Sequence, residues 1–198
     1  MPPGARLGIF GGTFDPVHIG HLVAATWALE ALALDRVLLV VANVPWQKAG
    51  TRTVTPAEDR FAMVEAAASG WPGLDPCRME IDRGGPTYTI DTVRQLQRDL
   101  PAAELVLVVG SDVVAGLTTW QDEPTLRHLV TLAVVGRPGA PPVLPPPGWR
   151  AVTVPVAPFD VSSTELRERL ESGLPVDGLV PDAVIRCIEQ RGLYATRR

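Results

Sequence analysis

The chain has 198 residues, 46% of them hydrophobic, and a formal net charge of -4 at neutral pH. A chain of that length can bury a sizeable core, and residues 1–198 read as a single domain. The acidic balance supplies no basic field, so a nucleic-acid polymer is not an expected partner, whereas small anions can still be bound locally.

The first predicted element is the strand "RLGIF" at 6–10, which ends in Gly11 and Gly12. Leu22, Ala25, Leu29 and Leu32 follow at spacings of three and four, the stripe of an amphipathic helix. The run "RVLLVVA" at 36–42 gives the next strand and closes a βαβ unit. At "TPAE" a second helix is expected, with Thr55 as cap, Pro56 in the first helical position and Glu58 closing a capping box. A third helix spans residues 89–100, with Val93, Leu96 and Leu100 on one face. "ELVLVVG" at 104–110 and "TLAVVGR" at 131–137 are further strands. All these runs are apolar without alternation, as suits strands covered on both faces of a parallel sheet. The proline-rich stretch 136–149 reads as an extended surface loop. "RAVTVPV" at 150–156 is an edge strand, because Pro155 would break an interior ladder, and two helices complete the chain. The fold class is therefore α/β, a Rossmann-like doubly wound parallel sheet with a small C-terminal helical portion. No stretch approaches the roughly 18 uninterrupted apolar residues of a membrane span, and no export signal opens the chain. Cys77 and Cys187 have no metal-ligand or redox spacing and read as reduced packing residues of a cytoplasmic protein.

The stretch "LGIFGGTFDPVHIGHL" at 7–22 carries the chemistry. In an open α/β sheet, ligands sit beyond the carboxyl ends of the strands, where a strand turns into a helix N-terminus. Gly11 and Gly12 stand at such a turn, where glycine allows positive φ and close approach of a phosphate. His18 and His21 are three residues apart, so both imidazoles lie on one face of the helix's first turn and converge on the same small volume. The string is neither the dinucleotide nor the P-loop glycine fingerprint.

"GGTFDPVHIGH" resembles the signature of the nucleotidyltransferases that carry an H-x-G-H motif, here His18-Ile19-Gly20-His21, and most resembles the bacterial nicotinate-nucleotide adenylyltransferase family. Further motifs stand in that family's order: "RGGPTYTIDT" at 83–92, "GSDVVAGLTTW" at 110–120, "GRPG" at 136–139 and "VSSTELRERL" at 161–170. The resemblance implies adenylyl transfer from ATP to nicotinate mononucleotide in NAD biosynthesis, with Mg²⁺ travelling with ATP and no dedicated metal site on the protein. It implies catalytic roles for His18 and His21. Gly11, Gly12, Thr13, Phe14, Gly110, Asp112, Ser162, Ser163, Thr164 and Arg167 become ATP and phosphate contacts. Thr87 and Tyr88 become the nicotinate-carboxylate site, and Trp120 the surface that stacks on the pyridine ring. Lys48 becomes a further substrate contact, although Gln47 stands where many members have histidine, and Arg137 is another by its place at the end of the predicted strand. Arg60 fits either a family position or a solvated helix charge. The implied partners are ATP and nicotinate mononucleotide, without nucleic acid or membrane, and a homo-oligomer is compatible with them. A nicotinamide-mononucleotide-preferring enzyme, a phosphopantetheine adenylyltransferase and a non-catalytic nucleotide-binding module on the same fold are the alternatives.

Overall fold

The structure is a computed structural model, and it describes residues 4–45, 53–136, 143–156 and 159–195. Six strands form one sheet: β1 (Arg6–Gly12), β2 (Arg36–Val41), β4 (Leu74–Cys77), β6 (Glu104–Gly110), β7 (Thr131–Gly136) and β8 (Ala151–Pro155). Their order is β4-β2-β1-β6-β7-β8, and every pairing is parallel. Two-residue strands β3 (Val44–Pro45) and β5 (Pro86–Thr87) pair separately, in parallel. The chain builds outward from β1 to one side, then returns to build from β6 to the other. Such a reversal leaves a crevice at the carboxyl ends of β1 and β6, the position where doubly wound sheets bind ligands.

Alternating side chains of these strands feed two cores. Val37, Leu39, Val41, Val106 and Val108 join Leu22, Ala25, Ala28, Met63, Val64, Leu166, Val184 and Ile188 on one face. These come from α1 (Ile19–Ala31), α2 (Ala57–Ala68), α6 (Ser163–Glu171) and α7 (Asp182–Arg191). On the other face Leu7, Ile9, Val40, Leu105, Leu107 and Val109 meet Ile90, Val93, Leu96 and Leu126 of α4 (Thr89–Asp99) and α5 (Glu123–Leu129). Short α3 (Met79–Arg83) precedes β5, and a 3₁₀ turn spans Val114–Thr119. Burial on both faces explains why the strand sequences do not alternate. No helix among the described residues is long and apolar enough to cross a membrane.

The expected strands and helices all form, with β8 at the sheet edge and Pro155 ending it. The start of α2 differs. Pro56 takes the N-cap and no side chain caps the helix. Thr55 lies one residue outside, where its carbonyl accepts a hydrogen bond from Arg60 Nε at 2.7 Å. The second edge strand, β4, escaped sequence reading because "LDPC" is short and contains proline. Tolerance of Pro76 there is an edge property.

Candidate active site

Two cavities open at the carboxyl ends of β1 and β6, and both are lined by Phe10 and Gly110. The first, about 190 Å³, lies among Gly11, Gly12, Thr13, Glu80, Thr87, Tyr88 and Trp120. The second, about 210 Å³, is bounded by His18, His21, Ser111, Asp112, Phe159 and Val161. The sequence-derived groups are thus sorted into two adjoining compartments on the crevice that the strand order creates.

The second compartment is organised by the histidines. His18 is the N-cap of α1, in extended backbone geometry, and is only 6% exposed. Its ring lies against that of His21, with centroids 3.7 Å apart. Gly20 makes room for this: a Cβ there would sit 3.1 Å from His18 Nδ1 and 3.0 Å from Val161 Cγ1. The His18 backbone N–H donates to His21 Nδ1 at 3.3 Å, so the neutral His21 ring carries its proton on Nε2. Burial depresses the His18 imidazole from 6.5 to about 4, because the charged form loses its hydration. His18 is therefore a neutral hydrogen-bonding group at physiological pH.

The glycine turn works differently from the sequence expectation. Neither Gly11 nor Gly12 adopts positive φ; both end strand β1. The left-handed residue is Phe14, at φ 50°. Its buried ring packs edge-on to His21 at 5.0 Å and underlies Gly12, where a Cβ would fall 2.8 Å from Phe14 Cζ. Lack of a side chain, rather than backbone freedom, is what position 12 requires. The Ile19 N–H at the start of α1 is also occupied, donating to Leu179 O at 3.0 Å. The C-terminal segment therefore takes one of the donors that a helix N-terminus offers.

Ser162, Ser163, Thr164 and Arg167 do not line either cavity. Ser163 and Arg167 bond instead to the Asp15–Pro16 segment that precedes His18. Ser162 caps α6 by accepting from the Glu165 N–H at 3.2 Å, and Ser163 Oγ donates to Pro16 O at 3.0 Å. Arg167 donates to Asp15 O at 2.7 Å, Ser163 O at 3.0 Å and Thr164 Oγ1 at 3.1 Å. A guanidinium has five N–H donors, so these bonds leave others available. The buried Asp15 carboxylate in turn accepts from Tyr194 OH at 2.7 Å. Burial pushes the Tyr194 phenol upward, and the Asp15 charge adds to the rise.

In the first compartment Thr87 ends β5 and Tyr88 is the N-cap of α4. Thr87 Oγ1 accepts from the Asn43 N–H at 3.0 Å, and its hydroxyl bonds to Glu80. With both sides of that hydroxyl engaged, backbone donors near the start of α4 are the better positioned for an anion. Glu80 is 5% exposed and accepts a hydrogen bond from Thr92 Oγ1. Burial raises its carboxyl, against the hydrogen bond from Thr92, the Arg83 charge and the bond from Thr87. Trp120 closes the wall, and none of the other described tryptophans lines either cavity. Trp149 is in the core, Trp71 packs against the opposite core and Trp27 is exposed.

Asn43, Glu80 and Gln121 were not singled out from sequence; Glu80 and Gln121 line the first cavity, and Asn43 reaches it through Thr87. Arg60 is neither solvated nor in a cavity wall, being 1% exposed. The signal for it was present: Arg60, Val64 and Ala67 share the buried face of α2 at helical spacing. Lys48 and Arg137 lie outside the described residues. Among the described residues, no three His, Cys, Asp or Glu side chains are grouped to hold a metal ion. Among the described residues, Asp112 is the one carboxylate lining the second cavity.

The profile of the cytidylyltransferase-like family matches residues 9–169. A Corynebacterium kroppenstedtii protein named "Probable nicotinate-nucleotide adenylyltransferase" is 46% identical over 192 residues, covering 96% of this chain and 90% of its own. One of the same name from Thermus thermophilus is 43% identical over 194 residues, covering 96% and 99%. The solved structure of a Plasmodium falciparum nicotinic acid mononucleotide adenylyltransferase complexed with NaAD has a TM-score of 0.79 at 15% identity. It spans 96% of this chain and 97% of that one, a likeness of fold.

Proposed function

The chain belongs to the nicotinate-nucleotide adenylyltransferases, within the cytidylyltransferase-like family, and from that premise we propose how its residues perform the reaction. It transfers the adenylyl group of ATP to nicotinate mononucleotide, releasing pyrophosphate and forming deamido-NAD. The observation that carries the residue assignments is the pair of cavities meeting at Phe10 and Gly110, one with stacked histidines and the other with Trp120 and the start of α4.

ATP occupies the compartment of His18 and His21, and nicotinate mononucleotide that of Thr87, Tyr88 and Trp120. A phosphate oxygen of the mononucleotide attacks the α-phosphorus in line, and the bond to the pyrophosphate oxygen breaks. The nucleophile is already an anion at neutral pH, so no general base is needed. Positioning and charge stabilisation then carry the catalysis. His21 donates through Nε2, and His18 acts as a second donor beside it. The Gly11–Phe14 backbone, Gly110 and Asp112 border the phosphate path. Ser163 and Arg167 brace the loop before His18, Ser162 caps α6 and Thr164 accepts from Arg167, which retains donors for phosphate. Lys48 is carried as a further substrate contact by resemblance, and Arg137 by its place at the end of the predicted strand in the sequence.

Residues 1–198 act as one domain, and reduced Cys77 and Cys187 suit the cytoplasm. Mg²⁺ fits the donor set if it arrives with ATP, since it commonly binds phosphate oxygens and water with only one or two carboxylates. Asp112, which lines the second cavity, would be the carboxylate available to it there. When bound, the ion neutralises phosphate charge.

Pyrophosphate release by purified protein with Mg-ATP tests the reading, comparing nicotinate mononucleotide, nicotinamide mononucleotide and phosphopantetheine. Strong preference for the first is expected. Turnover with only another acceptor would overturn the substrate assignment, and no turnover with any would overturn the reaction.

A further inference from the structure

Arg60 lies within α2, 1% exposed, and all three of its guanidinium nitrogens donate to backbone carbonyls of different loops. Nε reaches Thr55 O at 2.7 Å, Nη1 reaches Thr13 O at 2.8 Å and Nη2 reaches Asn43 O at 3.0 Å. Thr13 follows β1 and lines the first cavity beside Gly11 and Gly12. Asn43 follows β2, and its N–H holds Thr87 Oγ1 at 3.0 Å while its Nδ2 donates to Gly85 O at 3.0 Å. A continuous chain of bonds therefore runs from the glycine turn through Arg60 and Asn43 to the Thr87–Tyr88 wall.

Burying a guanidinium is costly unless its donors are satisfied, and backbone carbonyls in fixed directions satisfy it only if all three loops hold their places. The planar fork is essential to this. A lysine ammonium would keep the charge but could not span three carbonyls in one plane.

We propose that Arg60 is a positioning residue for adenylyl transfer, locking the glycine turn and the Thr87–Tyr88 wall at the separation that in-line attack requires. It touches neither substrate and acts through Thr13 and Asn43. The inference rests on the reaction proposed above. Misplacing reacting groups by about 1 Å can cost on the order of 10²-fold in rate, so the effect belongs in kcat as well as in binding.

The test uses Arg60→Lys and Arg60→Gln beside the wild type, each assayed well below its own melting temperature. For cooperatively melting variants, kcat with both substrates saturating is expected to fall about 10- to 100-fold, with Lys failing to restore it. A lower melting temperature with kcat and both KM values within about twofold of wild type would reduce Arg60 to a structural brace and overturn the proposal. Should neither variant fold, Thr87→Val decides, since it removes the hydroxyl held by the Asn43 N–H and leaves the guanidinium with its three carbonyls. A fall in kcat with both substrates saturating is expected, and a kcat within about twofold of wild type overturns the chain from Arg60 to Thr87. The wild-type control separates the two levels: if it releases no pyrophosphate with any acceptor, the reaction itself falls, and Arg60's role in it.

Discussion

His18 makes the folded chain sensitive to mild acid in a way that can be calculated. Its imidazole titrates at 6.5 when unfolded and at about 4 when buried against His21, so the unfolded chain binds the proton first as pH falls. The depressed value means the neutral ring favours folding fully above about pH 6.5, and this contribution is lost as pH falls through 4. Moving from pH 7 to pH 5 should remove about 2 kcal/mol through this one group. For a chain of this size that is roughly 4–8 °C in melting temperature. The perturbation is His18→Gln, which keeps a polar side chain and cannot titrate. Urea or thermal melts of both proteins at pH 7 and 5 give the difference of differences, in which contributions from groups that do not touch His18 cancel. Glu80 makes that subtraction necessary, because burial raises its carboxyl and gives it the opposite sign, favouring folding as pH falls. Wild type should lose about 2 kcal/mol more than the variant between the two pH values. Parallel losses would refute the reading of His18 as a buried neutral donor.

At the level of rate, His18→Ala should lower kcat by about 10² to 10³, the magnitude of losing one strong electrostatic donor, and a folded variant with near wild-type turnover would sink its catalytic role. Trp120→Ala should raise KM for nicotinate mononucleotide about 2- to 30-fold by removing the face offered to the pyridinium, without changing KM for ATP. Steady-state kinetics with each substrate varied in turn reads this, and equal effects on both would mean that Trp120 only supports packing. Gly12→Ala should destabilise by about 1–3 kcal/mol in urea melts, because the new methyl meets the Phe14 ring at 2.8 Å. A variant as stable as wild type would show that the ring can move aside.

Much of the frame was legible in the sequence because burial on both faces writes itself as unbroken apolar runs: β1, β2, β6 and β7 carry that pattern. Strands β3 and β5 carry no period at all in two residues each, yet they bring Asn43 to Thr87. Spacing brought His18 and His21 together, but not as two helical neighbours: His18 is the extended residue that caps α1, and His21 stands in the first turn. Their stacking needs the room left at Gly20, which stands between them in the chain, whereas Val161 reaches the same spot only through the tertiary fold. The reversal of roles between Gly12 and Phe14 was not legible either. Glycine in a turn suggests positive φ, but here a ring passing beneath the strand end demands the missing Cβ.

The polar residues buried among the described positions are Asp15, His18, Arg60, Glu80 and Thr92. Their distribution separates stability from function. His18, Glu80 and Thr92 line the cavities, Arg60 binds the carbonyls of Thr13 and Asn43, and Asp15 anchors the loop before His18 through Tyr194 and Arg167. A fold seeking only stability would place apolar side chains at such positions, since desolvated charges gain little net free energy. Satisfied by hydrogen bonds, however, they hold loops in directions that apolar packing leaves free. A reaction that needs no general base gains chiefly from donors already aimed before substrate arrives. The cost of burying these groups is therefore concentrated where rigidity accelerates the chemistry, and the two apolar cores on either side of the sheet sustain it.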